Sequence, residues 1–253
     1  MKVDVVVVTY NNAGTAAQCL QSLPKDARIV VVDNASQDDT VATLATLGVA
    51  PHSQSKNLGF AAGANQGATL GQSPCILFLN PDAYLKEPSL ETALTYLESH
   101  PDVAALGFQL VDPTGKPEVS FGPPVTLFSL FTHRRRRPEI PSTPTPVGWV
   151  SGAALLVRRA MFEKVGGFDP EFFLYWEDID LSRRLCQQGG QVMYFPYIQV
   201  FHQRGRSLSD TRRKTQLYDK SADKYFHKHY SPMIWGLQRF LRRLYRYFSP
   251  EVH

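Results

Sequence analysis

Two stretches decide the fold: residues 3–12, VDVVVVTYNN, and residues 30–40, VVVDNASQDDT. In each, a short run of valines ends in polar residues, and a stretch suited to a helix follows. Because the runs are continuously apolar, they predict strands that are covered on both faces. The same alternation returns at residues 75–79 and 89–97. We therefore expect an α/β fold with a central, mostly parallel sheet flanked by helices.

The composition of the 253 residues is that of a globular protein. With 43% hydrophobic and 20% charged residues, it excludes a collagen, a coiled coil and a disordered acidic chain. The length predicts one large domain with an appendage. Three cysteines are too few for a disulfide framework and lack the spacing of a zinc site, so a reducing compartment is expected.

The N-terminal segment and the hydropathy predict a cytoplasmic protein. Asp4 interrupts what would be the apolar core of a secretion signal, and no small-residue cleavage site follows it. No apolar run approaches the ~18 residues that a membrane span requires.

Charge is divided unevenly along the chain. Residues 1–133 carry 6 Lys and Arg against 12 Asp and Glu, whereas residues 134–253 carry 21 against 11. The basic half favours an anionic partner, and phosphates, anionic lipid headgroups and nucleic acid all qualify. The chain has no RRM, KH or helix-turn-helix signature, which argues against nucleic acid.

Two segments depart from the α/β pattern. Residues 120–148 hold six prolines and the basic run HRRRR at 133–137, which predicts a mobile loop. Residues 231–253 form a basic tail in which residues 233–248 have the pattern of an amphipathic helix, too short and too charged to cross a bilayer. This helix could lie on an anionic membrane or dock its apolar face on the domain formed by residues 1–230.

Polar residues follow the first two predicted strands, at the edge where open α/β sheets bind their ligands. Asp33 could accept hydrogen bonds from a ribose hydroxyl or a pyrimidine N–H, and Tyr10 offers a face for stacking. Alternatively, Asp33, Asn34 and Ser36 only cap the next helix.

Residues 57–67, NLGFAAGANQG, carry glycines at a spacing that differs from the dinucleotide-binding motif. Glycines let the backbone approach a diphosphate or a sugar closely. Asn57, Gly59 and Asn65 are therefore candidate ligand contacts, whereas the alanines are expected to pack a helix against the sheet.

Acidic residues are most concentrated at positions 177–180, which contain Glu177, Asp178 and Asp180. Crowded like charges raise one another's pKa, which moves a carboxylate towards the range useful to a general base. Acids in the first turn also stabilise a helix through its dipole. The two roles are compatible.

Five segments together resemble family 2 glycosyltransferases of the GT-A fold, most of all the rhamnosyltransferase-like members. They are residues 3–12 and 30–40, quoted above, with 57–67 (NLGFAAGANQG), 78–82 (FLNPD) and 166–185 (GGFDPEFFLYWEDIDLSRRL). Each motif is modest alone, but five in the expected order are specific. The resemblance covers residues 3–205 and implies an inverting transfer of a sugar from a nucleoside diphosphate to an acceptor hydroxyl.

The resemblance also implies roles for single residues. Those expected at the nucleotide and the donor are Thr9, Tyr10, Asn11, Asp33, Asn57, Gly59, Asn65, Asn80, Asp82 and Gly152. Tyr175 and Trp176 would form a wall for a sugar or the acceptor. Asp178 would be the catalytic base, with Glu177 as its closest rival and Asp180 as a structural residue.

A divalent metal, Mg²⁺ or Mn²⁺, is a further implication of the resemblance. The family often has Asp-x-Asp where this chain has Asn80, Pro81 and Asp82, so only one carboxylate is present there. Asp82 and the late histidine His202 are the expected metal ligands, and Asn80 offers a neutral carbonyl oxygen.

These features together predict a cytoplasmic, peripherally membrane-associated glycosyltransferase that builds a cell-surface polysaccharide or glycolipid. The expected donor is dTDP-rhamnose or a UDP-sugar, and the expected acceptor is a glycan or a lipid-linked sugar. The missing first carboxylate leaves an alternative, a non-catalytic protein of the same fold that binds a nucleotide sugar or a polysaccharide.

Overall fold

The computed structural model describes residues 1–87, 89–126, 139–203 and 211–248, with the backbone alone for residues 211 and 243–248. The predicted basic run at 133–137 lies outside the described residues. The strands are β1 (Val3–Thr9), β2 (Arg28–Asp33), β3 (His52–Ser53), β4 (Cys75–Leu79), β5 (Ala83–Leu85), β6 (Val103–Val111), β7 (Phe121–Gly122), β8 (Thr145–Pro146), β9 (Trp149–Val150), β10 (Ala154–Arg158) and β11 (Gln191–His202). The helices are α1 (Ala16–Gln21), α2 (Thr40–Thr46), α3 (Phe60–Thr69), α4 (Glu91–Ser99), α5 (Arg159–Lys164), α6 (Glu177–Gln187), α7 (Thr211–His229) and α8 (Pro232–Phe248).

Within the described residues, nine strands form one sheet in the order β3-β2-β1-β4-β10-β6-β11-β5, with β8 paired to β11. β1 pairs in parallel with β2 and β4, and β6 pairs in parallel with β11. β10 runs antiparallel between β4 and β6. The predicted α/β class is confirmed, and the antiparallel insertion of β10 is a feature that the sequence pattern does not indicate.

The valine run of β1 is buried on both faces, as predicted. Val5 and Val7 join a core with α1, α2 and α4, while Val6 and Val8 join a second core with α3, α5 and α6. Successive side chains point to opposite faces of a sheet, so a strand between two helical layers must be apolar at every position. The alanines of α3 lie in the second core, where they let this helix pack closely on the sheet.

Some predicted boundaries differ from the observed ones. β11 is one continuous strand, although the apolar runs at 192–195 and 197–201, on either side of Pro196, each predict a short strand of their own. Its pairing with β6 shifts register between Phe195 and Gln199, and this irregularity accommodates the proline. The ends of the predicted loop at 120–148 are ordered, because they contain β7 and β8.

The C-terminal region is helical, as the sequence predicts, and α7 packs against α8. Among the helices described, none combines the length and the apolar character needed to cross a membrane.

Asp4 is a charged residue buried within β1. Its carboxylate accepts hydrogen bonds from Arg159 Nη2 at 2.7 Å and from the backbone N–H and the hydroxyl of Ser73 at 2.8 and 2.7 Å. These contacts join β1 to the loop before β4 and to the start of α5. A buried carboxylate is tolerated when cations and donors satisfy it in this way.

We expect replacement of Asp4 by Ala to lower the free energy of unfolding by about 3–5 kcal/mol, because it leaves Arg159 without its buried partner. Urea denaturation measures the change. Glu163→Ala is the matched control, since Glu163 meets the same arginine at 3.5 Å from an exposed position, and its loss should cost less than about 1 kcal/mol. Equal losses in the two variants would contradict this account of Asp4.

Candidate active site

The first part of the site lies where β1 and β2 end side by side. Thr9 pairs with Asp33 in the parallel register, and Thr9 Oγ1 donates a hydrogen bond to Asp33 Oδ1 at 2.9 Å. Ser36 donates to the same carboxylate from its N–H at 3.0 Å and from its hydroxyl at 2.5 Å. The Asp33 carboxylate is thus held in a fixed position at the carboxyl edge of the sheet.

The loops after these two strands are joined to each other. Asn11 has a φ of +57°, and its side-chain oxygen accepts the N–H of Gln37 at 2.8 Å. Its own N–H donates to the Ser36 hydroxyl at 2.9 Å. Tyr10 is half-buried beside this junction. The amide of Asn11 therefore serves to position the loops that frame the site.

The structure does not support the alternative that Asp33, Asn34 and Ser36 cap the next helix. α2 begins only at Thr40, whose N–H donates to Asp38 Oδ1 at 3.0 Å. Asn34 instead donates from its side chain to the carbonyl oxygen of Gly59 at 3.0 Å. The polar residues after β2 thus connect the strand end to the glycine-rich segment.

Gly59 brings the start of α3 against the segment that precedes α6. Its φ is +86°, and a Cβ at this position would lie 2.3 Å from the carbonyl oxygen of Phe173. Phe60 N–H donates to that oxygen at 3.0 Å. Asn57 forms the turn before it by accepting the Gly59 N–H at 2.9 Å. A side chain at position 59 would both strain the backbone and force the two segments apart.

Asn65 has a structural role in this arrangement. Its amide donates to the carbonyl oxygen of Phe168 at 2.7 Å and accepts the N–H of Phe168 at 2.8 Å. Both polar atoms of Asn65 thus hold the loop that follows α5, and the expected contact of this residue with the donor stays a prediction.

Asp82 and His202 are brought together by the pairing of β5 with β11, in which His202 lies opposite Ala83. His202 Nε2 lies 3.4 Å from Asp82 Oδ1. Asp82 is buried, and among the described residues its Oδ1 has no hydrogen-bond partner. Asn80 precedes this pair, and its N–H donates to the carbonyl oxygen of Ala153 at 3.0 Å. A carboxylate oxygen and an imidazole nitrogen at this separation fit two positions around one divalent cation.

The described part of the chain contains no cluster of three or more His, Cys, Asp and Glu side chains that could hold a metal ion. Within the described residues, Asp82 and His202 therefore form an incomplete set of ligands for a metal.

Asp178 is held at the same edge of the sheet. Its Oδ2 accepts the N–H of Gly152 at 2.9 Å, and its Oδ1 accepts the N–H of Ile179 at 2.8 Å. The space at Gly152 is bordered by Asp178 and by the ring of Phe60. Gly152 lies just before β10, and the next residue, Ala153, accepts the N–H of Asn80. The base predicted from the sequence thus lies beside the end of β4.

The carboxyl groups of Glu177 and Asp178 differ in their environment. Burial raises the pKa of both groups, and the negative charge of Asp178 raises the pKa of Glu177 further. The N–H groups of Gly152 and Ile179 oppose the rise at Asp178. Glu177 Oε2 is buried without a hydrogen bond from any described residue. Glu177 therefore keeps its proton to higher pH, and Asp178 is the member of the pair that ionises first.

The two residues before α6 have a strained backbone. Tyr175 and Trp176 have φ values of +69° and +70°, a conformation that costs a bulky residue roughly 1–3 kcal/mol. The Trp176 side chain is 4% exposed, and its ring lies 5.2 Å from that of Tyr225 on α7. This corrects the expectation that Trp176 forms a sugar wall, because α7 covers it. Tyr175 is half-buried, with its ring 6.0 Å from Tyr218.

Asp180 is structural, as expected. It is fully buried, and basic side chains surround it: Arg184 Nε and His229 Nε2 each lie 2.7 Å from its carboxylate, and Lys228 Nζ lies 2.9 Å away. Despite burial, hydrogen bonds from His229 and Lys228 and the charge of Arg184 lower the pKa of Asp180 to about 2. This cluster fastens α7 to the helix that carries Glu177 and Asp178.

A family model, that of glycosyl transferase family 2, matches residues 4–166 of the sequence. The chain belongs to glycosyltransferase family 2. Its match spans β1 to the end of α5 and contains Asp33, Asp82 and Gly152.

Similar proteins agree with this assignment. The chain is 29% identical to N-acetylglucosaminyl-diphospho-decaprenol L-rhamnosyltransferase of Mycobacterium tuberculosis, over 92% of this chain and 88% of that protein. It is 33% identical to the rhamnosyltransferase WbbL of Escherichia coli K12, over 50% of this chain and 51% of that protein. The expected likeness to rhamnosyltransferases is confirmed.

The fold is similar to that of the mannosyltransferase PcManGT of Pyrobaculum calidifontis, whose solved structure is a complex with GDP-Man and Mn²⁺. The TM-score is 0.60 at 15% sequence identity, and the match covers 98% of this chain and 81% of the other. The GT-A fold predicted for this glycosyltransferase is confirmed.

Several residues of the site region carry no sequence signal. Glu118 Oε2 lies 4.0 Å from His202 Nδ1, although the two residues belong to distant segments. Phe173 contacts Gly59 and Phe60 through its backbone carbonyl oxygen. The type of side chain at position 173 therefore gives no indication of this contact. The sequence does indicate Asn34, because it follows a buried strand and therefore lies at the carboxyl edge of the sheet, where the site is expected.

We expect the cations around Asp180 to stabilise this glycosyltransferase by about 2 kcal/mol at neutral pH, because the folded pKa of about 2 lies below the ordinary 3.8. This stabilisation is complete above the unfolded pKa and is lost as the pH falls towards 2. Urea denaturation measures the free energy of unfolding of the wild type and of Asp180→Asn between pH 7 and pH 3. The difference between the two should become smaller as the pH falls. Asp26→Asn, at an exposed position, is the control, and a difference that stays constant with pH would contradict the assignment.

Proposed function

We propose that this glycosyltransferase inverts the anomeric configuration of a sugar that it moves from a nucleoside diphosphate to an acceptor hydroxyl. The preferred donor is dTDP-rhamnose, and a UDP-sugar is the alternative. The observation that carries the proposal is the hydrogen bond from Gly152 to Asp178. It fixes a carboxylate of raised pKa at the sheet edge where Asp33 and the Asp82–His202 pair also lie.

Asp178 is the proposed catalytic base. It accepts the proton of the acceptor hydroxyl as the hydroxyl oxygen attacks the anomeric carbon, and the nucleoside diphosphate leaves from the opposite face of the sugar. A base positioned for this transfer contributes roughly 10²–10⁴-fold to the rate. Because Glu177 keeps its proton more readily, the neighbouring charge does not prevent Asp178 from being ionised.

Asp33 and Asp82 serve the two ends of the nucleotide in this proposal. The carboxylate of Asp33 receives the base or the ribose beside Tyr10. Asp82 and His202 would hold Mn²⁺ or Mg²⁺ together with the diphosphate oxygens, which would add to the two ligands found among the described residues. When bound, such a metal offsets the negative charge that develops on the leaving diphosphate.

The proposed acceptor is a sugar linked through diphosphate to a lipid, and the proposed place of action is the cytoplasmic face of a membrane. Three features support this proposal. The Mycobacterium tuberculosis relative is named for a diphospho-decaprenol acceptor, and the second half of this chain is strongly basic. The cysteines are free, as expected in a reducing compartment.

A panel of dTDP-, UDP- and GDP-sugars, scored by protection against thermal unfolding, identifies the donor. Asp178→Asn should then reduce turnover of that donor by about 10²–10⁴-fold with little change in its affinity, because the proton acceptor alone is lost. The wild-type rate should fall as the pH drops below the raised pKa of Asp178. Steady-state kinetics measure both effects.

Glu177→Gln is the matched control. An amide replaces a carboxyl group whose raised pKa favours the neutral form, so this variant should keep more activity than Asp178→Asn. Near-normal transfer by Asp178→Asn would exclude Asp178 as the base. Donor binding without release of the sugar, at any acceptor, would favour the non-catalytic alternative.

Removal of metal by EDTA should lower transfer by about a hundredfold or more, since several kcal/mol of charge stabilisation is lost, and Mn²⁺ or Mg²⁺ should restore it. Calorimetric binding of the nucleoside diphosphate should become stronger with Mn²⁺ in the wild type and not in Asp82→Asn or His202→Ala. His52→Ala, at an exposed position on the outermost strand β3, is the control. Full activity in EDTA would exclude the metal role of both residues.

A further inference from the structure

The helix α8 exposes an apolar stripe. The side chains of Met233, Leu237 and Phe240 are 80%, 45% and 57% exposed. Their spacing of four and three residues places them on one face of the helix. Each of the three residues thus leaves a large part of its apolar surface in contact with water.

The opposite face of α8 packs on α7 through the ring of Trp235, which joins the apolar cluster of Tyr225 and Phe226, and through polar contacts. Trp235 Nε1 donates to Asp223 Oδ1 at 2.9 Å, and Arg239 pairs with the same aspartate at 3.4 Å. Arg242 forms an ion pair with Asp219 one helical turn away. An amphipathic helix that only completes a protein core would turn its apolar face inwards. In this pair of helices, the side of α8 that meets α7 carries Trp235 and the two ion pairs, and the stripe of Met233, Leu237 and Phe240 lies on the other side.

Charge indicates what meets this stripe. Residues 211–248 contain ten lysines and arginines and two aspartates, with no glutamate. A second copy of the same helix pair would bring two strongly positive surfaces together, which opposes association. An anionic bilayer provides both parts of a complementary surface, because it has negative headgroups and an apolar interior.

We propose that the face of α8 formed by Met233, Leu237 and Phe240 binds the surface of a bilayer that contains anionic lipids. The three side chains enter the boundary between headgroups and acyl chains, while the basic residues of α7 and α8 attract the phosphates. The inference deepens the proposed function and rests on it for its biological meaning, because a lipid-linked acceptor is presented at such a surface.

The helix pair is fastened to the segment that carries the proposed base. Ser221 on α7 donates to the carbonyl oxygen of Leu174 at 2.9 Å, and Lys228 meets Asp180 at 2.9 Å. The ring of Trp176 also packs on that of Tyr225 on α7, with the ring centres 5.2 Å apart. Binding of α8 to a membrane would therefore hold the residues around Asp178 at a fixed position relative to the lipid surface.

Co-sedimentation of the full chain with vesicles tests the proposal. We expect binding to phosphatidylcholine vesicles that contain phosphatidylglycerol, much weaker binding to phosphatidylcholine alone, and release at high salt. Leu237→Ser/Phe240→Ser should lower the partition coefficient by about tenfold or more, because two apolar side chains no longer enter the bilayer. Both positions are exposed, so the unfolding transition should not move.

The control variant is Val41→Ser/Tyr197→Ser, which removes two apolar side chains that are 39% and 57% exposed outside the C-terminal helices. It should bind vesicles like the wild type. Equal loss in the two double variants, equal binding to both vesicle types, or no binding by the wild type would overturn the proposal. A wild-type dimer that Leu237→Ser/Phe240→Ser dissociates, without vesicle binding, would assign the stripe to a second copy instead.

These measurements need no donor and no catalysis, so they separate this inference from the proposed function. Vesicle binding without any sugar transfer would contradict the function alone. Transfer to a soluble acceptor without vesicle binding would contradict the membrane surface alone.

Discussion

The hydrogen bond from the N–H of Gly152 to the carboxylate of Asp178 joins α6, which carries the proposed base, to the sheet edge where Asp33 and Asp82 lie. It depends on the direction of β10, which runs antiparallel between β4 and β6. Because of that direction, the start of β10 lies at the edge where the parallel strands β1, β2 and β4 end. Had β10 been parallel to β4, Gly152 would lie at the opposite edge, and Asp178 would have no fixed partner near the predicted nucleotide pocket.

Much of this arrangement can be predicted from local sequence. The valine runs specify buried strands, and the polar residues after them must collect at one edge, so Asp33 and Asp82 could be assigned there without coordinates. The burial of Trp176 and the structural hydrogen bonds of Asn65 could not be assigned in this way, since they depend on α7 and on the loop after α5, which are remote in sequence. The orientation of α8 was open for the same reason. Its sequence pattern shows an apolar and a basic face. Which of the two packs on the protein depends on contacts with Asp219 and Asp223, which belong to α7.

The acidic residues in the first turn of α6 have different pKa values because different side chains surround them. Asp180 meets Arg184, Lys228 and His229, and its pKa falls to about 2. No described cation pairs with Glu177, and burial raises its pKa. The helix dipole acts on all of them alike, so it does not explain the difference. Environment thus separates an acid that anchors the helix from acids that can exchange a proton.

The irregular pairing of β11 has a consequence for how such proteins can change over evolution. His202 reaches Asp82 only because the register shift between Phe195 and Gln199 sets which side of the strand it occupies. One residue inserted or deleted between this irregularity and His202 would turn the imidazole to the other face of the sheet. Substitutions along this stretch can be absorbed one at a time, whereas a change in its length separates the histidine from the aspartate in a single event.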